Sequence, residues 1–273
     1  MNCLAVQASA NRIYLSPHLD DAVLSCGGTI WQQVQAGDRV LVLTVFAGSP
    51  PPGAELSPFV RELHSRWAGL DDVADIDSDR PRSTLATSTP SRRDEDLTAL
   101  ARLGADACHW PYADCIYRQA ADGRFLYPDE KALWGEMHSA DGGLIGELVG
   151  RLTRLPLARD STLYAPLGVG HHVDHQVVRR AAEGSGRTLT YYEDFPYAED
   201  TEGVRAALGD RRARADIVSL SEEALRAKTA AIACYRSQIS TFWDNGADMA
   251  ASIRAFAQRH GGGAVERYWM LDA

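Results

Sequence analysis

Two short stretches of this chain carry residue types that can do chemistry together. Ser16-Pro17-His18-Leu19-Asp20-Asp21 sets an imidazole beside two adjacent carboxylates, and Gly168-Val169-Gly170-His171-His172-Val173-Asp174-His175 gathers three of the eight histidines with another aspartate. Each has an ordinary explanation. An aspartate before a helix caps it, but a cap uses one carboxylate and not two behind a histidine. Histidines at a helix start can simply be solvated, and HxxH alone is a weak signal. His172 and His175, however, lie three apart and so share one helix face, where both can address the same point. Imidazole with carboxylate, and no thiolate, is the ligand set of a catalytic zinc with three protein ligands and one open position. His18, Asp21 and His175 would supply such a triad. A cation held so lowers the pKa of water toward about 7 and polarises a carbonyl oxygen. Asp20, next to a ligand but free, is then placed to accept the water proton. His172 can protonate a leaving amine or stabilise a tetrahedral oxyanion, and Asp174 can orient one of the histidines.

The elements around these motifs predict where they sit. Arg12 to Ser16 reads as a strand, Asp21 to Ala36 as a helix and Arg39 to Phe46 as an apolar strand buried on both faces, which together make a βαβ unit. Helices are expected near Pro58 to Ala68, Arg92 to Leu103, Leu144 to Leu155, Asp174 to Glu183 and Glu222 to Tyr235. Strands are expected near Ala107 to Trp110, Leu163 to Ala165, Leu189 to Tyr192 and Ala215 to Ser219, with Glu266 to Leu271 as an edge strand. This alternation predicts a Rossmann-like, three-layer αβα fold with a mostly parallel sheet, in one domain over residues 1–273. Both motifs then fall at carboxyl ends of strands, where ligands bind in such sheets. The first βα turn has no GxGxxG, and Gly27-Gly28 come too late, inside the helix, so a dinucleotide is excluded. Gly48 to Ser57, Asp71 to Pro90 and Tyr112 to Asp129 read as loops that form a pocket rim or lid. Trp110, Tyr112, Tyr117, Phe125, Tyr127 and Trp134 concentrate around the third, where aromatic faces suit a sugar ring.

Bulk properties exclude several classes. A net charge of −9, with no basic run among aromatics, marks no surface for nucleic acid or anionic lipid. No apolar run is long enough for a membrane helix. The start has no basic segment followed by a long apolar stretch, so the expected location is cytoplasmic. Five scattered cysteines without CxxC spacing read as reduced, buried thiols.

PHLDD followed by HVDH resembles the PHPDD and HPDH motifs of the LmbE/PIG-L family of zinc-dependent N-acetylglucosamine deacetylases. The resemblance implies His18, Asp21 and His175 as ligands of one zinc per chain, Asp20 as general base and His172 as stabiliser of the transition state. Leu19 and Val173 stand where the family has Pro, and Ala22 where many members carry an acid. The likeness continues through Arg92-Arg93-Asp94-Glu95, similar to the family's RxxE helix, then Asp114, then Tyr235-Arg236-Ser237-Gln238, similar to its YxSQ segment. By it, Arg92 and Asp114 would bind sugar hydroxyls. The implied partner is a small N-acylated amino sugar or glycoside. The Arg-rich composition and aromatic loop resemble the branch that acts on glycopeptide-antibiotic pseudoaglycones. Competing readings are a non-catalytic, metal-dependent sugar-binding protein, a deacetylase of a thiol-precursor glycoside, and a metallophosphoesterase, which needs ligands for two metals where this chain has one well-formed set.

Overall fold

The chain runs in β1 (Arg12–Ser16) through four buried residues, then along α2 (Asp21–Gln35), after a short helix α1 (Cys3–Ser9), into β2 (Val40–Thr44), all five of whose residues are buried. A computed structural model describes residues 3–50, 53–67, 88–158 and 160–272. The expected loop at Asp71 to Pro90 lies outside these residues up to position 87. Next come α3 (Pro58–Trp67), α4 (Ser88–Leu103) and β3 (Asp106–His109), followed by α5 (Glu130–Leu133), α6 (Gly142–Thr153) and β4 (Thr162–Pro166). The remainder is α7 (Val173–Gly184), β5 (Leu189–Tyr192), α8 (Thr201–Leu208), β6 (Ala213–Ser219), α9 (Glu222–Ile232), α10 (Arg236–Phe242), α11 (Gly246–Gln258) and β7 (Val265–Leu271).

The seven strands form one sheet in the order β3-β2-β1-β4-β5-β7-β6. The first five are parallel, with Tyr14 of β1 opposite both Val42 of β2 and Tyr164 of β4. β7 runs antiparallel to both β5 and β6. From β1 the chain winds outward through β2 to β3, and from β4 it winds the other way to β5. The handedness of parallel crossovers then puts α2 and α7 on opposite faces, and the gap beyond β1 and β4 is the topological switch point. The fold is therefore α/β, mostly parallel, with helix layers on both faces: α2 packs with α4 and α9, and α6 with α7.

Three expectations need correction. Glu266 to Leu271 belongs to β7, an interior strand, because β6 pairs along its outer side through seven residues from Ala213↔Leu271 to Ser219↔Val265. The edge is β6, whose middle residues Arg214 to Ile217 are exposed. The helix expected to run to Tyr235 ends at Ile232, because the chain turns there and starts α10 at Arg236. Cys3 and Cys108 are not free thiols but form a disulfide. They are 105 residues apart in sequence, yet α1 lies along β3 and brings their Cα atoms to 5.5 Å. The other three cysteines are free.

Gly27 and Gly28 have a packing role. A Cβ on Gly27 would meet Lys228 Cγ at 3.0 Å, and one on Gly28 would meet Leu220 Cδ1 at 2.7 Å, so α2 can approach α9 only without side chains there. Lys228 is buried and donates to the Ser25 carbonyl at 3.0 Å and to Glu266 Oε1 at 2.7 Å. The same carboxylate accepts from the Gly28 and Thr29 N–H groups at 3.0 and 2.8 Å. One buried pair thus ties α2, α9 and β7 together. Removing one partner strands a buried charge, so Lys228→Ala is predicted to cost about 3–5 kcal/mol in chemical denaturation. A loss under about 1 kcal/mol would show that water or rotation relieves Glu266.

Candidate active site

The first motif follows β1 and the second follows β4, so the parallel pairing of these strands brings them together. The helix that starts at Asp21 has Asp20 in its N-cap position, yet Asp20 makes no capping hydrogen bond. Ser16 does that work, its Oγ accepting from the Ala22 N–H at 3.1 Å. Asp21 Oδ2 turns back to accept from the His18 N–H at 2.7 Å. Both carboxylates are buried, and neither is used to cap the helix.

The second motif needs an unusual backbone. Gly168 and Gly170 have φ of +79° and +84°, and His171 has φ of +65°, a region that costs a residue with a side chain. At Gly170 a Cβ would also meet the Tyr197 ring at 2.9 Å. Gln176 Nε2 donates to the His171 carbonyl at 2.7 Å and to the Gly135 carbonyl at 2.9 Å, which holds the turn. His172 caps α7, its Nδ1 accepting from the Asp174 N–H at 3.2 Å. Burial, then His18 and His175, hold its pKa well below the ordinary value. A neutral ring with Nδ1 as acceptor carries its proton on Nε2.

Around Asp21 the two other histidines are held alike. Asp21 Oδ2 lies 3.2 Å from His18 Nδ1 and 3.4 Å from His175 Nε2. These are close to the edge length, about 3.3 Å, of a tetrahedron with bonds near 2.0–2.1 Å. The outward nitrogen of each ring meets a carboxylate: His18 Nε2 with Asp174 Oδ2 at 3.0 Å, and His175 Nδ1 with Asp194 Oδ1 at 2.7 Å. That arrangement fixes tautomer and ring direction in metal sites. Donor atoms of His18, His172 and His175 all lie within 4.8 Å of one another, so these four side chains could hold a divalent cation.

Two further groups are close enough on distance but poorer in chemistry. One uses Cys115, His172 and Asp174, and the other His18, Asp114 and Asp174. Burial pushes the Cys115 thiol well up, and Asp174 is committed, accepting from the Cys115 N–H at 2.9 Å and pairing with Arg118 at 2.6 Å. Burial and then Arg118 act on Asp174, whose carboxyl ends far below the usual range.

The electrostatics divide the two adjacent aspartates. Burial opposes ionisation of Asp21, but His175 and His18 outweigh it and hold its pKa well below the usual value. Asp20 is pushed up to about 6 by burial and by Asp21, against Arg92 and His18. Burial would neutralise His18 and His175, yet Asp114, Asp174 and Asp21 hold the first well up, and Asp21 and Asp194 raise the second to about 10.

The two other expected residues sit at the rim. Asp114 Oδ2 is 3.7 Å from His18 Nε2, and Oδ1 accepts from the Ile116 N–H at 3.2 Å. Arg92, on α4, stacks over Trp67 with Cζ 4.4 Å from the ring centre. One turn on, Glu95 accepts from the Ser237 N–H at 3.0 Å and hydroxyl at 2.6 Å, and Asp96 accepts from the Tyr235 hydroxyl at 2.7 Å. The Tyr235 to Gln238 segment therefore locks α4, and with it Arg92, against the start of α10. Of the aromatics near the third loop, Trp110 and Tyr127 are core, while Trp134 is 36% exposed with its ring 5.0 Å from His172 and 5.1 Å from Tyr197.

Asp194 and Arg118 were not foreseen. Asp194 follows β5, and its Oδ2 accepts from the Gly168 and Val169 N–H groups at 2.7 and 3.0 Å, so it holds both His175 and the glycine turn. Its place after a parallel strand beside the switch point was an available signal. Arg118, mid-loop, offered none.

The profile described as PIG-L: GlcNAc-PI de-N-acetylase matches residues 13–184. The chain is 33% identical over 210 residues to the 2'-N-acetylparomamine deacetylase of Streptomyces fradiae, covering 74% of this chain and 63% of that protein. It is 29% identical over 190 residues to the protein of that name from Niallia circulans, covering 68% and 66%. It thus spans about two thirds of these curated relatives. Among solved structures it is similar to the zinc-inhibited form of a teicoplanin deacetylase, with a TM-score of 0.78, 29% identity and 96% and 97% of the chains covered. It is similar also to the A40926 pseudoaglycone deacetylase, with a TM-score of 0.72, 28% identity and 97% and 98% covered.

The carboxylate behind His175 generates a prediction. Asp194→Asn keeps the shape but not the charge that orients the ring, and divalent-metal affinity is predicted to fall about 10–100-fold in chelator competition. An unchanged Kd would mean that the turn, and not Asp194, sets the ring.

Proposed function

Because the chain belongs to the GlcNAc-PI de-N-acetylase (PIG-L) family, we propose that the cluster beyond β1 and β4 is the active site of a metal-dependent hydrolase that deacetylates an N-acetyl amino sugar. The observation that carries this is the matched holding of His18 and His175, each with one nitrogen on a carboxylate and the other against Asp21, beside an Asp20 that makes no capping hydrogen bond. The donors fit zinc in kind, nitrogen and oxygen without thiolate, and His18, Asp21 and His175 would hold one per chain. Bound there, zinc would polarise the amide carbonyl and make water a stronger nucleophile.

The side chains do the rest. Asp20 takes the proton of the attacking water as its oxygen bonds to the carbonyl carbon, and later passes it on as the carbon–nitrogen bond breaks. His172, with Nδ1 occupied, donates through Nε2 to the oxygen that gains charge or to the departing nitrogen. The products are acetate and a free amine. Asp174 and Asp194 keep the rings aimed. Arg92 and Asp114 face sugar hydroxyls from the rim. One hydrophobic core runs from Val6 to Tyr268, which supports reading residues 1–273 as one domain. Among the described residues no helix is long and apolar enough to cross a membrane.

The substrate we propose is a small glycoside of an antibiotic-like metabolite, on the strength of the teicoplanin, A40926 and paromamine relatives. The partly exposed Trp134 beside His172 supports an aromatic wall for a group larger than one sugar. Release of amine and acetate from a panel of N-acetylglucosaminyl pseudoaglycones, N-acetylated aminoglycosides, a thiol-precursor glycoside and free N-acetylglucosamine tests this. Stripped protein is expected to be inactive, and one equivalent of zinc to restore it. No release from any member would sink the hydrolase and favour a sugar-binding protein.

Asp20→Asn is predicted to keep metal while turnover falls at least about 100-fold; unchanged turnover would remove Asp20 as the base. His175→Ala is predicted to lose metal and activity together, and a variant that still loads fully by metal analysis would show the wrong ligand.

A further inference from the structure

Beside the acidic centre, two buried polar atoms have nothing to bond. His64, on α3, is 2% exposed, and its Nε2 lies 2.6 Å from the Tyr117 hydroxyl. Among the described residues its Nδ1 has no hydrogen-bond partner, and neither has the buried Nε of Arg92. Trp67 links the pair: its ring is 5.5 Å from that of His64, and Arg92 Cζ stacks on it at 4.4 Å. Arg92 also bears electrostatically on both His64 and Asp20, so the pair adjoins the proposed reaction centre. Leaving two buried polar atoms unsatisfied destabilises a fold, and proteins tolerate it chiefly where a ligand or an ordered water completes the set.

We propose that His64 and Arg92 form a subsite that reads one hydroxyl of the amino sugar, with Trp67 as its wall. This rests on the amino-sugar reading above and adds a specificity residue to it. A guanidinium only donates, whereas the free nitrogen of a neutral imidazole accepts or donates according to its tautomer. A hydroxyl satisfies both in either case, because its oxygen accepts from Arg92 while its hydrogen or its second lone pair serves His64. A carboxylate or phosphate has no hydrogen to give, and an ammonium group would be repelled by Arg92. The indole beside them suits the apolar face of a sugar ring.

The test uses N-acetylglucosamine glycosides and their mono-deoxy analogues, with turnover on the zinc-loaded enzyme and calorimetric binding on the metal-free protein. In the wild type one analogue is expected to lose on the order of a hundredfold in kcat/KM and to bind correspondingly weakly. His64→Gln can reach Tyr117 in place of Nε2 but leaves the Nδ1 position empty, and should level that difference. His64→Asn puts an amide near the Nδ1 position and should restore it, which a merely structural role would not do. Without any variant, the His64 ring resonance should shift on binding the parent sugar and not the sensitive analogue. Equal treatment of all analogues by the wild type, or full discrimination kept by His64→Gln, would overturn the subsite and leave an ordered water as its occupant. Hydroxyl-dependent binding through His64 without turnover would instead keep the subsite and overturn the deacetylase. No binding and no turnover of any sugar would overturn both.

Discussion

Parallel pairing between β1 and β4 is the constraint on which the site depends, since each motif alone supplies only half of what a metal needs. Parallel strands point their carboxyl ends the same way, and these two are neighbours from Arg12↔Thr162 to Tyr14↔Tyr164. The chain leaves them in opposite directions, so no crossover helix covers the space between. His18 and Asp21 enter that space from one side and His172 and His175 from the other. The clamp of Lys228 and Glu266 behind α2, and the lock of Tyr235 and Ser237 on α4, hold the helices that carry these groups.

Burying so many carboxylates in one place is costly unless each finds a counter-charge or a donor. Asp174 has Arg118, His18 and the Cys115 N–H; Asp194 has His175 and two backbone N–H groups. Asp21 has two imidazoles and the His18 N–H. Asp20 is the one whose carboxyl burial and a neighbouring charge push upward, which suits a group that gives and takes a proton near neutrality. Differences in environment therefore separate adjacent, chemically identical side chains into different roles.

Substrate preference belongs to a different part of the molecule. A satellite core of Val60, Cys115, Ile116, Tyr127, Leu133 and Val173 joins α3, the loop after β3 and the start of α7. It supports the rim on which His64, Trp67, Arg92 and Trp134 stand. The centre can thus stay the same across relatives that act on paromamine derivatives or on pseudoaglycones, while rim loops vary.

What the sequence by itself determined was local. Strand, helix and strand around His18, and the strand and helix around His175, were legible because burial periodicity and turn chemistry are written in consecutive residues. The ligand-type residues were legible because their spacing within each motif implied a shared face. Short helices such as α8 and α10 were not, since eight and seven residues carry too little periodicity. Which carboxylate stands behind His175, which arginine neutralises Asp174, and that Cys3 reaches Cys108 were decided only in three dimensions. The same holds for β7 lying inside the sheet and for His64 meeting Arg92 at one indole. Such partners come from elements far apart in the chain, and it is packing of whole layers, not any local pattern, that selects among the many equivalent side chains.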